Sequence, residues 1–238
     1  LCEYKLLTLG FTPFATWLEN EQITLLIPPI ALIRQWCHTL AAPLQLTHLR
    51  AMEFIGALVT KQDLIDVRAK LVGTYTLTLL YGSTEALNVT AYPVADVHAL
   101  PDDRLPGGYV VPDKQVLILD EGGRSVAPGQ SGEIVIQSRY IAPGYWQRAE
   151  LTRTKFSTCA EDPTQQAYFT SDLGYQDARG CLYITGRKDA MVKLRGYAVD
   201  LTEVEQTLAA LPAVQQAVVK VDDNGQQTEA TLIAYVVL

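Results

Sequence analysis

Between residues 23 and 80 of this 238-residue chain, strand-like and helix-like segments take strict turns, and that alternation limits the fold more than any other feature. "ITLLI" reads as a buried strand and "PPIALIRQWCHTL" as a helix with prolines at its start, where they are tolerated. "LRAMEFIG" reads as a strand, "VTKQDLIDVRAKL" as a helix with apolar residues at three- and four-residue spacing, and "TYTLTLL" as a β-rich strand. A short amphipathic helix beginning after Thr12, in "TPFATWLENEQ", precedes them. A β-α-β order of this kind predicts an α/β sheet.

After Pro93 the pattern changes. "VLILDEGGRSVAPGQSGEIVIQS" is two strands joined by a polar, glycine-rich loop, and "AYFTSDLGYQDARGCLYITGR" repeats that arrangement, so residues 110–187 predict a β-rich, barrel-like layer. Near Asp189 a third style begins. "DAMVKLRGYAV" gives two short strands around Gly196, and "DLTEVEQTLAAL" a helix with Asp200 placed to cap it and Glu203 three positions later. "VQQAVVKV" and "TLIAYVVL" add two more strands. The expected division is a large unit, 1–188, followed by the start of a small α+β lobe, 189–238. The opening "LCEYKLL" and the ending in a strand pattern read as a fragment of something longer.

Composition removes several functions. A formal charge of −7 and a pI near 5.0 give no footprint for nucleic acid or an anionic membrane. The longest apolar run, "ITLLIPPIALI", is too short to span a bilayer and holds two prolines. Cys2, Cys37, Cys159 and Cys181 are scattered without a C-x-x-C pair, which argues against a metal or redox motif and for reduced thiols in the cytoplasm. His38, His48 and His98 are equally dispersed, and no Ser/His/Asp arrangement emerges.

The stretch "YGSTEA", residues 81–86, places a glycine, two hydroxyls and a carboxylate in what reads as one tight turn between strands. A plain turn can use that composition. A bound nucleotide needs an aromatic face for its base, donors for phosphate and a carboxylate for magnesium, and Tyr81, Thr84 and Glu85 supply those types. Three further sets follow in order: "GEIVIQSRYIAPGYW", "YFTSDLG" and "GRKDAMVKLRGYAVDLTEVE". The first reads as structural, with Ile134 and Ile136 burying one face and Pro143–Gly144 making a turn.

With these four sets in this order, the chain resembles the adenylate-forming (AMP-binding) superfamily, most of all the adenylation domains of nonribosomal peptide synthetases. The resemblance implies the late part of a large α/β adenylate-forming domain and the start of its small mobile lobe. It implies ATP and Mg²⁺ as cofactors, an amino or carboxylic acid as substrate, and a phosphopantetheine carrier domain as partner. It assigns Thr84 and Glu85 to catalysis, Glu85 also to the metal, and Tyr81, Gly82, Ser83, Asp172 and Arg187 to the nucleotide. Asp172, on a cleft edge at a strand end, would accept both ribose hydroxyls. Asp189 would be the hinge, Lys193 and Gly196 would lie on a hairpin presented to the thiol, and Glu53, Ile55, Leu80, Asn88 and Val89 would lie near the acyl pocket.

The chain also departs from that pattern. Neither the family's phosphate loop nor its small-lobe lysine occurs in it. Ile55, Gly56 and Ala57 stand where Gly-Gly-Glu is common, Ser171 replaces a glycine, and Met191 and Ala198 replace a Gln and an Arg. These departures motivate a second reading, a degenerate lobe that serves as scaffold in a megasynthase. A Rossmann-type oxidoreductase is set aside because G-x-G-x-x-G is missing.

Overall fold

In chain order the first half gives helix α1 (Phe11–Asn20), strand β1 (Leu25–Leu26), helix α2 (Ile30–Thr39), strand β2 (Leu44–Gln45), strand β3 (Ala51–Ile55), helix α3 (Lys61–Lys70), strand β4 (Leu71–Val72) and strand β5 (Thr76–Ser83). The structure is a computed structural model that describes residues 10–56, 59–102, 104–159, 162–194, 197–209, 211, 213–214, 216–222 and 231–237. Cys2, Ala57 and Gly196 lie outside the described residues.

The alternation becomes a five-stranded sheet. Strands β1, β3 and β5 run parallel, and β6 (Leu87–Val94) and β7 (Tyr109–Val110) continue antiparallel in the order β1-β3-β5-β6-β7. A short parallel ribbon, β2 with β4, stands beside it. Period-2 burial explains β3, since Met52 and Phe54 are buried while Ala51, Glu53 and Ile55 are not. Helix α2 presents Ile30, Ile33, Trp36 and Cys37 to the same core, at helical spacing.

Helix α3 starts at a capping box: Thr60 Oγ1 accepts from the Asp63 amide at 3.2 Å, and Asp63 Oδ2 accepts from the Thr60 amide at 2.7 Å. Arg34 of α2 donates two bonds, of 2.7 and 2.8 Å, to the same carboxylate and ties the two helices together. Burial alone would push Asp63 up. Arg34 and Thr60 outweigh it and hold the carboxyl below its usual range. Helix α1 departs from the expectation by starting at Phe11, after Gly10 at φ 79°, with no side-chain cap; Thr12 lies inside the first turn.

The second half builds a separate antiparallel sheet from β8 (Gln115–Leu119), β9 (Gly132–Ser138), β10 (Phe156–Thr158), β11 (Gln166–Gln176) and β12 (Leu182–Arg187), with helix α4 (Ala149–Lys155) between β9 and β10. The order is β10-β11-β9-β8, and β12 pairs with β11. Its core gathers Val116, Ile118, Ile134, Ile136, Phe156 and Leu182. A 3₁₀ turn at Lys188–Ala190 leads to β13 (Met191–Leu194), β14 (Tyr197–Asp200), helix α5 (Leu201–Ala209), β15 (Gln216–Asp222) and β16 (Thr231–Val237), with β13–β14 and β15–β16 each an antiparallel pair. Cys37 and Cys181 are buried free thiols. No helix among the described residues is long and apolar enough to cross a membrane.

Candidate functional site

Residues 81–86 are not one tight turn. Strand β5 runs on through Tyr81, Gly82 and Ser83, and only Thr84–Ala86 turns, closed by Ser83 Oγ accepting from the Ala86 amide at 3.3 Å. The β-propensity of "TYTLTLL" carries through because β6 offers partners on the far side: Tyr81 pairs with Thr90 and Gly82 with Asn88, one residue of β6 being skipped. At that bulge a Cβ on Gly82 would sit 2.1 Å from the Leu87 carbonyl oxygen, so only glycine lets the two backbones approach this closely.

The bulge aims Tyr81 at the second sheet. Its hydroxyl donates to Asp172 Oδ2 at 2.6 Å, across 91 positions of sequence. Arg187 Nη1 donates to Asp172 Oδ1 at 2.8 Å, while its Nε and Nη2 grip Asp189 at 2.8 and 2.7 Å. Asp172 is 16% exposed against 48% for Arg187. Burial pushes the Asp172 carboxyl above its usual range, and the bonds from Tyr81 and Arg187 only partly offset that. Burial, then the carboxylate, pushes the Tyr81 phenol up as well. The Arg187 fork holds Asp189 below the usual range. An ionised carboxylate has about four lone-pair sites, so Asp172 keeps two beyond those that Tyr81 and Arg187 occupy.

What delivers Asp172 to this position is a break in the strand pairing. Phe169 of β11 pairs with Val135 of β9, and the next pair is Leu173 with Glu133, leaving Thr170, Ser171 and Asp172 out of register. Ser171 has φ 65°, the left-handed region where glycine is at ease and an L-residue costs roughly 1–2 kcal/mol. It is held from both ends: Lys155 Nζ donates to its hydroxyl, and its amide donates to Glu133 Oε1 at 3.2 Å. Lys188 donates to the other oxygen of Glu133 at 3.1 Å.

Glu85 follows the bulged strand and is fixed by residues that read as structural in the sequence. Tyr145, in the "APGYW" loop, donates its hydroxyl to Glu85 Oε1 at 2.6 Å, and the Ala142 amide donates to the Glu85 carbonyl at 2.8 Å. Burial would raise the Glu85 carboxyl, but Tyr145, the Glu85 amide, Ser83 and Tyr168 together hold it below the usual range. Nothing in the spacing of "GEIVIQSRYIAPGYW" signals that its tyrosine serves a carboxylate 60 positions earlier; the phenol in a Pro-Gly turn was the one available clue.

The other expected residues scatter more. Glu53 pairs with Thr78 and Ile55 with Leu80, so Glu53, Ile55 and Leu80 lie on the sheet face opposite the buried Phe54 and Leu79. A groove of about 330 Å³, lined by Ile27, Pro28, Pro29, Ile30 and Ile55 among others, opens at the carboxyl ends of β1 and β3. Asn88 is exposed in β6, and Val89, the residue the β5–β6 ladder skips, is fully buried in the second core. Thr84 is exposed at the turn. Asp189 lies in the 3₁₀ turn and Lys193 in β13. Among the described residues no cluster of three or more His, Cys, Asp or Glu could hold a metal. A lone carboxylate such as Glu85 suits a Mg²⁺ that arrives on phosphates and keeps most of its waters.

Comparison with known proteins gives a consistent picture. The family model described as "AMP-binding enzyme" matches residues 7–146, which include Tyr81, Glu85 and Tyr145. The chain is 35% identical over 158 residues to a D-alanine–D-alanyl carrier protein ligase of Lactiplantibacillus plantarum, a match covering 66% of this chain and 30% of that relative. It is 33% identical over 225 residues to malpibaldin synthetase of Mortierella alpina, covering 92% of this chain and 4% of the relative. The chain thus spans less than a third of the length of these curated relatives.

Among solved structures it superposes on a four-domain nonribosomal peptide synthetase bound to AMP and glycine, with TM-score 0.70 and 27% identity over 93% of this chain and 16% of that one. It also superposes on the O-succinylbenzoate coenzyme A synthetase of Bacillus subtilis in complex with ATP and magnesium, with TM-score 0.75 over 95% of this chain and 44% of that one. At 19% identity that likeness carries the fold alone.

Proposed function

The chain belongs to the AMP-binding enzyme family, and from that premise we propose that it is part of an ATP-dependent ligase that activates an amino or carboxylic acid as its adenylate and passes the acyl group to a phosphopantetheine thiol on a carrier domain. A nonribosomal peptide synthetase in the cytoplasm is the setting we favour, with residues 1–188 in the large unit, the mobile lobe from Asp189 onward, and Lys193 and Gly196 on the hairpin offered to the thiol. One observation carries the reading: Tyr81 and Arg187, from β5 and β12, converge on the half-buried carboxylate of Asp172 in β11, which retains lone pairs for two hydroxyls.

Each residue then has a task. Asp172 accepts the ribose hydroxyls, Tyr81 and Arg187 hold its oxygens in place, and Tyr81 offers its ring to the base. Gly82 and Ser83 keep the backbone low beside the phosphates. Thr84, exposed at the turn, donates to phosphate, and Glu85 provides the protein oxygen for Mg²⁺. The metal, when bound, neutralises charge on the phosphates as the acid's carboxylate attacks and pyrophosphate leaves. The groove beside Ile55 receives the rest of the acid.

Acid-dependent exchange of labelled pyrophosphate into ATP, measured in the enzyme that contains this chain, tests the proposal. Exchange should depend on Glu85 and Asp172, and the isolated 238-residue chain, with no phosphate loop in its sequence, should show none. An intact enzyme that exchanges with no acid of a broad panel would leave the scaffold reading in its place.

A further inference from the structure

The "APGYW" loop is seated more firmly than a surface turn requires. The Tyr145 amide donates to Thr152 Oγ1 at 2.9 Å, and its ring meets the Phe156 ring edge-on, with centroids 5.3 Å apart at 72°. Phe156 in turn packs on Tyr168, at 5.1 Å. Backbone, ring and hydroxyl of Tyr145 are thus each held, and the hydroxyl ends on Glu85 Oε1. The loop's own amide at Ala142 grips the Glu85 carbonyl, so main chain and side chain of Glu85 are clamped by one segment.

We propose that Tyr145 is a positioning residue for Glu85: it occupies one carboxylate oxygen, fixes the rotation of the group, and leaves Glu85 to ligate the nucleotide's metal through its other oxygen. This rests on the proposed metal role of Glu85, and it adds a task for a loop to which the proposed function assigns none. A single oxygen matches the geometry of Mg²⁺, which takes one or two carboxylate oxygens and fills its octahedron with phosphate and water. Without the phenol, the carboxylate can rotate to chelate with both oxygens or swing into solvent.

The probe is Mn²⁺ in the presence of ATP, its free concentration read by electron paramagnetic resonance, in the wild-type protein, Y145F and E85Q. Y145F should weaken ATP-dependent Mn²⁺ uptake by about three- to tenfold, the scale of a lost hydrogen bond to a charged group that is still partly solvated. Unchanged uptake in Y145F, with only a lower Tm, overturns the positioning role.

Full uptake in E85Q overturns the metal role instead.

Discussion

Asp172→Ala takes away the carboxylate that joins the two sheets, and the structure sets the size of the effect. The Tyr81 bond, at 2.6 Å with an ionised acceptor, contributes about 1.5–3 kcal/mol. The Arg187 bond adds at most about 1 kcal/mol, because the guanidinium is half-exposed and keeps Asp189 as a partner. Against these stands the cost of burying the Asp172 charge, which its raised pKa shows is not fully repaid. The net loss should be about 1–2 kcal/mol, a fall of roughly 2–8 °C in Tm for a chain of this size. Its pH dependence has a definite sign. A carboxyl that titrates higher in the folded state than in the unfolded chain stabilises most when protonated, below about pH 4, and that stability is lost as the pH rises through the folded value. The wild-type advantage over the mutant should therefore be larger near pH 4 than near pH 7. Thermal melts at both pH values, with equilibrium binding of ATP and 2′-deoxy-ATP alongside, make the assay. ATP affinity should fall about tenfold and the preference over the deoxy analogue should shrink. A mutant with unchanged Tm, or an advantage that grows toward neutral pH, would refute the buried-bond argument; one that keeps full ribose discrimination would refute the ribose assignment.

Ser171→Gly relieves the left-handed backbone while Ser171→Ala does not, and both lose the Lys155 bond; Gly should therefore be the more stable by up to about 1 kcal/mol in urea titration, and equal midpoints would deny the strain. Cys37, buried and with its thiol pushed up to about 11 by burial and the nearby Asp66 and Asp63, should stay unlabelled by a thiol reagent at about pH 8 until the protein unfolds; peptide mapping of early label on Cys37 would count against this packing. Asp189→Pro, by fixing φ at the proposed pivot, should depress adenylate formation and thioester formation unequally when the half-reactions are timed separately, and equal losses would argue against a hinge there.

The fold class was legible because it rests on periodicity, which is local. Burial alternating along β3 and the i, i+3, i+7 stripe of α2 are each written in a dozen residues. Residue types at the site were legible too, through the order of their motifs. What stayed hidden was every contact between distant segments. Tyr81 to Asp172 spans 91 positions and Tyr145 to Glu85 spans 60, and no pattern of one strand announces a partner that far away. Asp172 accordingly read as a cleft-edge residue, although its side chain is only 16% exposed and carries a bond between sheets. The strand end was misread for a related reason: Gly82 and Ser83 carry turn chemistry, but β6 lies alongside and keeps them in the ladder.

The gap in β11 has a consequence for which length changes this region can survive. From Phe169 to Leu173 the chain advances four residues while its partner moves two, from Val135 to Glu133, so the excess is two. An even excess preserves inside–outside parity on both flanks, and Tyr168 and Gly174 remain on their proper faces. Deleting or inserting one residue between positions 169 and 173 would invert either the Asp172 side chain or the whole distal half of the strand, whereas the exposed loop at 120–131, pinned where Val126 and Gly129 donate to the Ile118 and Gln176 carbonyls, can lengthen between those points at little cost. Divergent copies of this unit should thus vary in length at the hairpin tip and by pairs, if at all, beside Asp172.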